Sequence, residues 1–285
     1  MLKEAVLKTI RYFDAQEHCL TLIDVSKYLV RIPNEPRVFS LSEIQNALEK
    51  DLAGEVTSKE GFYFLQGREE LVKRRLQNHY YASLRLKRVK KYLPFVRHLP
   101  FIASVSLGGS EAISNSKKGS DIDLLIITKS NRMWLGRLAI TLYTQVLGMR
   151  RHGDLVADRF CLNHYISAPK LLDSDHNLYT TIEYISQIPI YGGEVFYEFL
   201  KNNLPWFKEY LHQPLFELKQ TPPASPTKKF LEKLLANPAG DWLEKIAGKY
   251  QLGRIRIQEY IIVEQDELSF HPDSKGQQVL QKARI

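Results

Sequence analysis

The stretch GGSEAISNSKKGSDIDLLIIT, residues 108–128, constrains this chain more than any other part of it. The residues before it, FIASVSL (101–107), form an apolar run of strand length that stops at two glycines, so they read as a buried strand. Gly108-Gly109-Ser110 then lets the backbone turn tightly, and its bare N–H groups and hydroxyl at a helix start suit phosphate oxygens. A short helix is predicted over 110–116, a polar loop SKKGS follows, and DIDLLIITK (121–129) is a second strand. Side chains alternate along a strand, so Asp121 and Asp123 share one face while Ile122 turns into the core. Two carboxylates so close raise each other's pKa unless a cation lies between them. A hard divalent ion with oxygen ligands, Mg²⁺ above all, relieves that repulsion.

The order of strand, Gly109-Ser110, short helix and Ser120-Asp121-Ile122-Asp123-Leu124 resembles the polymerase-β-like nucleotidyltransferase superfamily. The resemblance implies Mg²⁺-dependent transfer of a nucleoside monophosphate from an NTP to an acceptor hydroxyl on RNA, protein or a small molecule, with pyrophosphate released and two metal ions engaged. It also implies that Gly108, Gly109, Ser110 and Ser120 bind the nucleotide, and that Asp121 and Asp123 are catalytic metal ligands. Lys117 and Lys118 either neutralise phosphate charge or belong to a solvated loop.

Active members of the superfamily carry a third carboxylate on a later strand. The strand in that position, RFCLNHYIS, has Asn163 at its centre. Asp158 lies five residues earlier and is the candidate third catalytic acid, with Asp154 more remote. An amide oxygen can ligate Mg²⁺ but takes no proton at neutral pH, so Asn163 is counted with the nucleotide-binding residues. The alternative is a catalytically degenerate nucleotide- or nucleic-acid-binding regulator with the same fold.

The rest of the chain gives an α+β protein in four parts. Over residues 1–66, Ala5, Val6, Ile10 and Phe13 recur at helical spacing, and Thr21 with Asp24 caps a second helix. Ser40 and Glu43 form a capping box for a third, and Lys59-Glu60-Gly61 turns a hairpin in GEVTSKEGFYFLQG. Three helices closed by a hairpin is the order of a winged helix-turn-helix. Its third helix offers Gln45, Asn46 and Lys50 beside Glu43, Glu49 and Asp51, a poor phosphate binder. The module is therefore as well suited to pairing with protein, or to orienting the rest of the chain, as to reading DNA.

Residues 67–98 hold one long helix, with nine Lys or Arg and two acids between Arg68 and Lys91. This basic helix, 68–91, is either a solvated linker or a surface for nucleic acid, whose binding would weaken steeply with salt. Residues 99–175 make the nucleotidyltransferase core with a mixed sheet, and 176–285 a helical C-terminal region with a hairpin near 260–272. The whole arrangement is similar to a group of bacterial proteins that join a winged helix to such a domain and a helical tail. The segments that carry this likeness are FDAQEHCLTLIDVSKYL, GFYFLQGR, RFCLNHYIS and LSFHPDSKGQQVL.

The net charge of +8 attracts polyanions without naming one. Two cysteines far apart, Cys19 and Cys161, argue against a disulfide framework, and no apolar run approaches the roughly 18 residues a membrane span needs. A cytoplasmic protein that binds an NTP and no membrane is expected. Acceptor, base preference and oligomeric state stay open.

Overall fold

A computed structural model describes residues 1–168, 176–255, 262–264, 266–270 and 274–285. Helix α1 (Leu2–Ala15) buries Val6, Ile10 and Phe13. Helices α2 (Leu22–Lys27) and α3 (Leu41–Asn46) start with the expected capping boxes. The Asp24 N–H donates to Thr21 Oγ1 at 3.1 Å and the Thr21 N–H to the Asp24 carboxylate at 3.0 Å, so two otherwise orphaned donors are satisfied together. A π-helical turn (Ala47–Asp51) extends α3, and β1 (Val56–Lys59) pairs antiparallel with β2 (Phe62–Leu65). Leu20 adds an isolated antiparallel bridge to Tyr63. The long helix α4 (Glu70–Tyr92) ends in a 3₁₀ segment (Leu93–His98).

The central sheet comes next. Strand β3 (Ile102–Leu107), helix α5 (Gly109–Ala112) and strand β4 (Ile122–Thr128) are followed by α6 (Met133–Val146), β5 (Phe160–Ser167), α7 (Leu178–Ser186) and β6 (Ile188–Tyr191). Helices α8 (Gly193–Tyr210), α9 (Pro226–Leu234) and α10 (Pro238–Ile255), strands β7 (Ile262–Val263) and β8 (Glu267–Ser269), and helix α11 (Ser274–Ala283) complete the described elements. Strand order is β6-β3-β4-β5-β8-β7, with β4 parallel to β5 and the other neighbours antiparallel. The sheet is mixed, as expected.

Strand β4 is the spine of the core. Ile122, Leu124 and Ile126 pack with α6 and the 3₁₀ segment, while Leu125 and Ile127 pack with α7, α8 and the N-terminal helices. Burying both faces of one strand explains its unbroken apolar run, and each such side chain contributes roughly 1.5–3 kcal/mol.

Two sequence expectations change and a third holds. The helix predicted over 110–116 is a single turn, because Ser114 takes a φ of 56° and ends it. The region 176–285 is not only helical: it supplies β6, which pairs with β3, and β8, which pairs with β5. The hairpin expected near 260–272 is present as β7 and β8, although residues 260, 261, 265, 271 and 272 lie outside the described ones. Residues 169–175, at the expected end of the core, also lie outside.

The N-terminal helices do not stand apart from the sheet. Helix α1 packs along α11, and Tyr28 Oη lies 3.0 Å from Ser186 Oγ. Val6, Ile10 and Phe13 share one core with Ile182, Ile185 and Phe199. Among the described residues, no helix is long and apolar enough to cross a membrane.

Candidate active site

The glycine turn is built around Asp123. Gly108 donates its N–H to the Asp123 carbonyl at 2.9 Å, which ties the end of β3 to the start of β4. Gly109 has a φ of 61°, and a Cβ there would collide with Asp123 Oδ2. Both facts require glycine: one for the left-handed backbone, the other for the close approach of a carboxylate. Asp121 and Asp123 do share a face, and with Cys161 they bring ligand atoms within 4.8 Å of one another.

The partner strand arrives with a bulge. Asp123 pairs with Cys161, but Leu125 pairs with His164, so β5 holds one extra residue between them. Cys161 and Asn163 are thereby left beside the aspartates. The Asn163 amide donates to Asp123 Oδ1 at 2.8 Å. Burial, reinforced by Asp123 and Asp121, pushes the Cys161 thiol up to about 12, so it stays protonated. Arg151 donates to Asp121 Oδ2 at 2.5 Å and reaches Cys161 Sγ at 3.4 Å.

Asp158, the expected third acid, does not join the pair. It sits at a φ of 59° ahead of β5, and its carboxylate lies 2.9 Å from Arg85 Nε. The strand therefore begins at Phe160 rather than at Asp158. Ser120 faces inward on its own loop: its Oγ accepts the Lys117 N–H at 3.1 Å, and its carbonyl accepts the Asp158 N–H at 2.9 Å. Ser110 Oγ lies 3.3 Å from Glu111 Oε2. Lys117 pairs with Glu17 at 3.3 Å and Lys118 is exposed.

An acid not singled out in the sequence lies behind the turn. Glu111 is 4% exposed, and Ser116 donates to it. Burial raises its carboxyl to about 7, offset by the Ser116 hydrogen bond and helped by the charge of Asp123. Arg85, 2% exposed, is 3.9 Å from Glu111 but 2.9 Å from Asp158, so its charge is answered mainly by Asp158.

Arg85 belongs to α4, and much of that basic helix is spent inward. Arg74 pairs with Glu17 at 2.6 Å, and Arg75 donates to the Ile113 carbonyl at 2.7 Å. Arg85 also donates to the Lys118 carbonyl at 2.9 Å and Arg88 to the Asp158 carbonyl at 3.2 Å. The helix thus holds the 110–120 loop in place. Lys73, Lys87, Lys90 and Lys91 remain exposed.

Two clefts adjoin the site, one at the glycine turn and one at the aspartates. One, of about 390 Å³, is lined by Gly109, Ser110 and Ser120 together with Tyr12 and Gln16 of α1 and Tyr179 of α7. The other, of about 1100 Å³, is lined by Asp121, Asp123, Cys161 and Asn163 and runs out between α6 and α10. Lys275 lines both.

Cys161 and Asn163 were reachable from the sequence, since strand alternation puts residues two apart on one face. Arg151 and Glu111 carried no such signal. No curated protein and no solved structure matches the chain. Residues 86–186, from the last turns of α4 through α7, match the family model of the nucleotidyltransferase domain, which supports the polymerase-β-like superfamily for this part of the chain.

Proposed function

We propose that the protein is a nucleotidyltransferase that binds a metal–NTP complex at the Gly109 turn and passes the nucleoside monophosphate to an acceptor hydroxyl. In that reaction the acceptor hydroxyl gives its proton to solvent, its oxygen bonds to the α-phosphorus, the α–β bridging P–O bond breaks, and pyrophosphate leaves with the bonding electrons. The observation that carries this reading is the contact of Gly109 with Asp123, which sets two same-face carboxylates beside a turn whose N–H groups suit phosphate oxygens.

The donor set fits a hard divalent cation such as Mg²⁺ through Asp121 and Asp123. Cys161 adds little to such a site while its thiol is protonated. When bound, the cation would neutralise triphosphate charge and polarise the α-phosphoryl group. Gly108, Gly109 and Ser110 would orient the β- and γ-phosphates, and Arg151 would leave Asp121 as the ion takes its place. Asn163 would fix the Asp123 carboxylate through its 2.8 Å hydrogen bond, but as an amide it takes no proton from the acceptor.

That last point favours a second reading: a nucleotide-binding regulator that keeps the fold without the transfer. Among the described residues, no third carboxylate joins the Asp121–Asp123 group. In either case we read residues 1–66 as a winged helix that orients the catalytic sheet, since α1 lines the smaller cleft and packs on α11. A cytoplasmic location accords with both readings.

Titrating Mg²⁺–ATP by calorimetry against wild type and Asp121→Ala tests the site, and incubating wild type with labelled NTPs and cell extract tests the chemistry. Binding lost in Asp121→Ala together with label on an acceptor is the expected result. Binding without label makes the protein a regulator, and no binding by wild type overturns both readings.

A further inference from the structure

We propose that the larger cleft is the acceptor site and that its acceptor carries phosphate close to the attacked hydroxyl, as a mononucleotide or the end of a single nucleic-acid strand does. The assignment of direction rests on the nucleotidyltransferase reading. In-line displacement puts the nucleophile opposite the leaving pyrophosphate. On the proposed function the triphosphate takes the cleft lined by Gly109 and Ser110, which leaves the cleft lined by Asp121 and Asp123, along β5, for the acceptor.

The chemistry of that cleft is anion recognition. Arg137, Arg150, Arg151, Arg254 and Lys275 line it, and among the described residues its acids are Asp121 and Asp123, both at the reacting end. Guanidinium forks match phosphate oxygens in pairs, which a carbohydrate or a neutral peptide would leave unused. Arg137 is held ready: its guanidinium lies over the rings of Tyr165 and Phe270, at 5.6 and 5.3 Å, and donates to Gln251 Oε1 at 2.6 Å. Among the described residues its buried Nε has no hydrogen-bond partner. Tyr250, 61% exposed, stands beside Arg254, whose guanidinium donates to its hydroxyl at 2.9 Å. Exposed aromatic rings interleaved with arginine are what unpaired bases stack on. A cleft of about 1100 Å³ is at the upper end for a small-molecule site and leaves room for more than one nucleotide.

The exposed lysines of α4 offer a rival surface, and the two are separable. Fluorescence anisotropy of a labelled 12-nucleotide single-stranded RNA, in EDTA and without NTP, reads binding independently of catalysis. Arg150→Glu with Arg254→Glu is expected to weaken binding at least about tenfold, whereas Lys87→Glu with Lys90→Glu, the same change of charge on α4, shifts it less than about threefold. The milder Arg254→Ala is expected to show an intermediate loss with an unchanged melting temperature. Displacement of the RNA by comparable AMP identifies a mononucleotide acceptor, and resistance to excess AMP identifies a strand. Equal or greater loss in the α4 pair, or no binding of either probe by wild type, overturns the proposal. Mg²⁺–ATP binding retained in the cleft pair separates the two sites. A wild type that holds the RNA in this cleft yet binds no Mg²⁺–ATP overturns both functional readings and leaves the cleft a nucleic-acid site without a transfer reaction.

Discussion

Strands β4 and β5 meet at the site from the same direction and bring opposite chemistry to it. The β4 side offers two carboxylates, one of them pressed against a glycine in the left-handed region. The β5 side offers a protonated thiol, an amide that donates rather than accepts, and an arginine already paired with Asp121. On the function proposed above, one edge would take a cation and a triphosphate, and the other something anionic that approaches them. The difference teaches that paired carboxylates beside a glycine turn and a third acid on the neighbouring strand are separable features of this fold: the first is present here, and position 163 holds an amide in place of the second.

The comparison is easiest to break at β4. Asp123→Asn should lower any label transfer from Mg²⁺–NTP at least about 100-fold, measured as initial rates, with the fold kept. Transfer at the wild-type rate would mean that the chemistry lies elsewhere.

Glu111 tests whether the buried acid behind the turn holds a proton. Its carboxyl is raised from 4.5 to about 7, so between those values the folded protein keeps a proton that the unfolded chain has lost. Stability should therefore fall as pH rises through that window, by at most about 3.5 kcal/mol at about 1.4 kcal/mol per unit, and level off above it. Urea denaturation at pH 5, 6, 7 and 8 should show this slope in wild type and its loss in Glu111→Gln. A slope of the same size in both proteins would show that Glu111 is ionised throughout.

Gly109→Ala should cost about 2 kcal/mol in thermal denaturation, from the left-handed φ of 61° and the collision with Asp123, and should weaken Mg²⁺–ATP as well. A neutral effect would mean that the turn has slack that its geometry denies.

The smallest effect sharpens the β5 side. Asn163→Asp puts a third carboxylate beside Asp123 and should tighten divalent-ion binding about tenfold, read as Mg²⁺-dependent thermal stabilisation. If the gain in Mg²⁺ response comes with a gain in transfer, the amide is what limits the chemistry. An unchanged response would place position 163 outside the ion's reach.

Much of the β4 side was legible because its signals are local. Thr21 with Asp24 and Ser40 with Glu43 cap helices through neighbours three residues away, and Asp121 with Asp123 share a face by strand alternation alone. The 110–116 helix was over-read because a positive φ at Ser114 has no clear signature in a serine. The basic charge of 68–91 was legible, but its direction was not: Arg75 and Arg85 turn inward, and Arg74 and Arg88 are tied down half-exposed, because segments distant in sequence supply their partners.

The sequence by itself determined the glycine turn, the paired aspartates and the strands that carry them, since each depends on residues within a few positions of one another. Only the tertiary structure decided that β5 is bulged opposite Asp123, that Asp158 answers Arg85, and that five cations from α6, the 150–151 loop, α10 and α11 converge on one cleft. Those outcomes follow from where separate elements dock. Docking is set by burying apolar faces against each other, which the order of residues along any one element does not record.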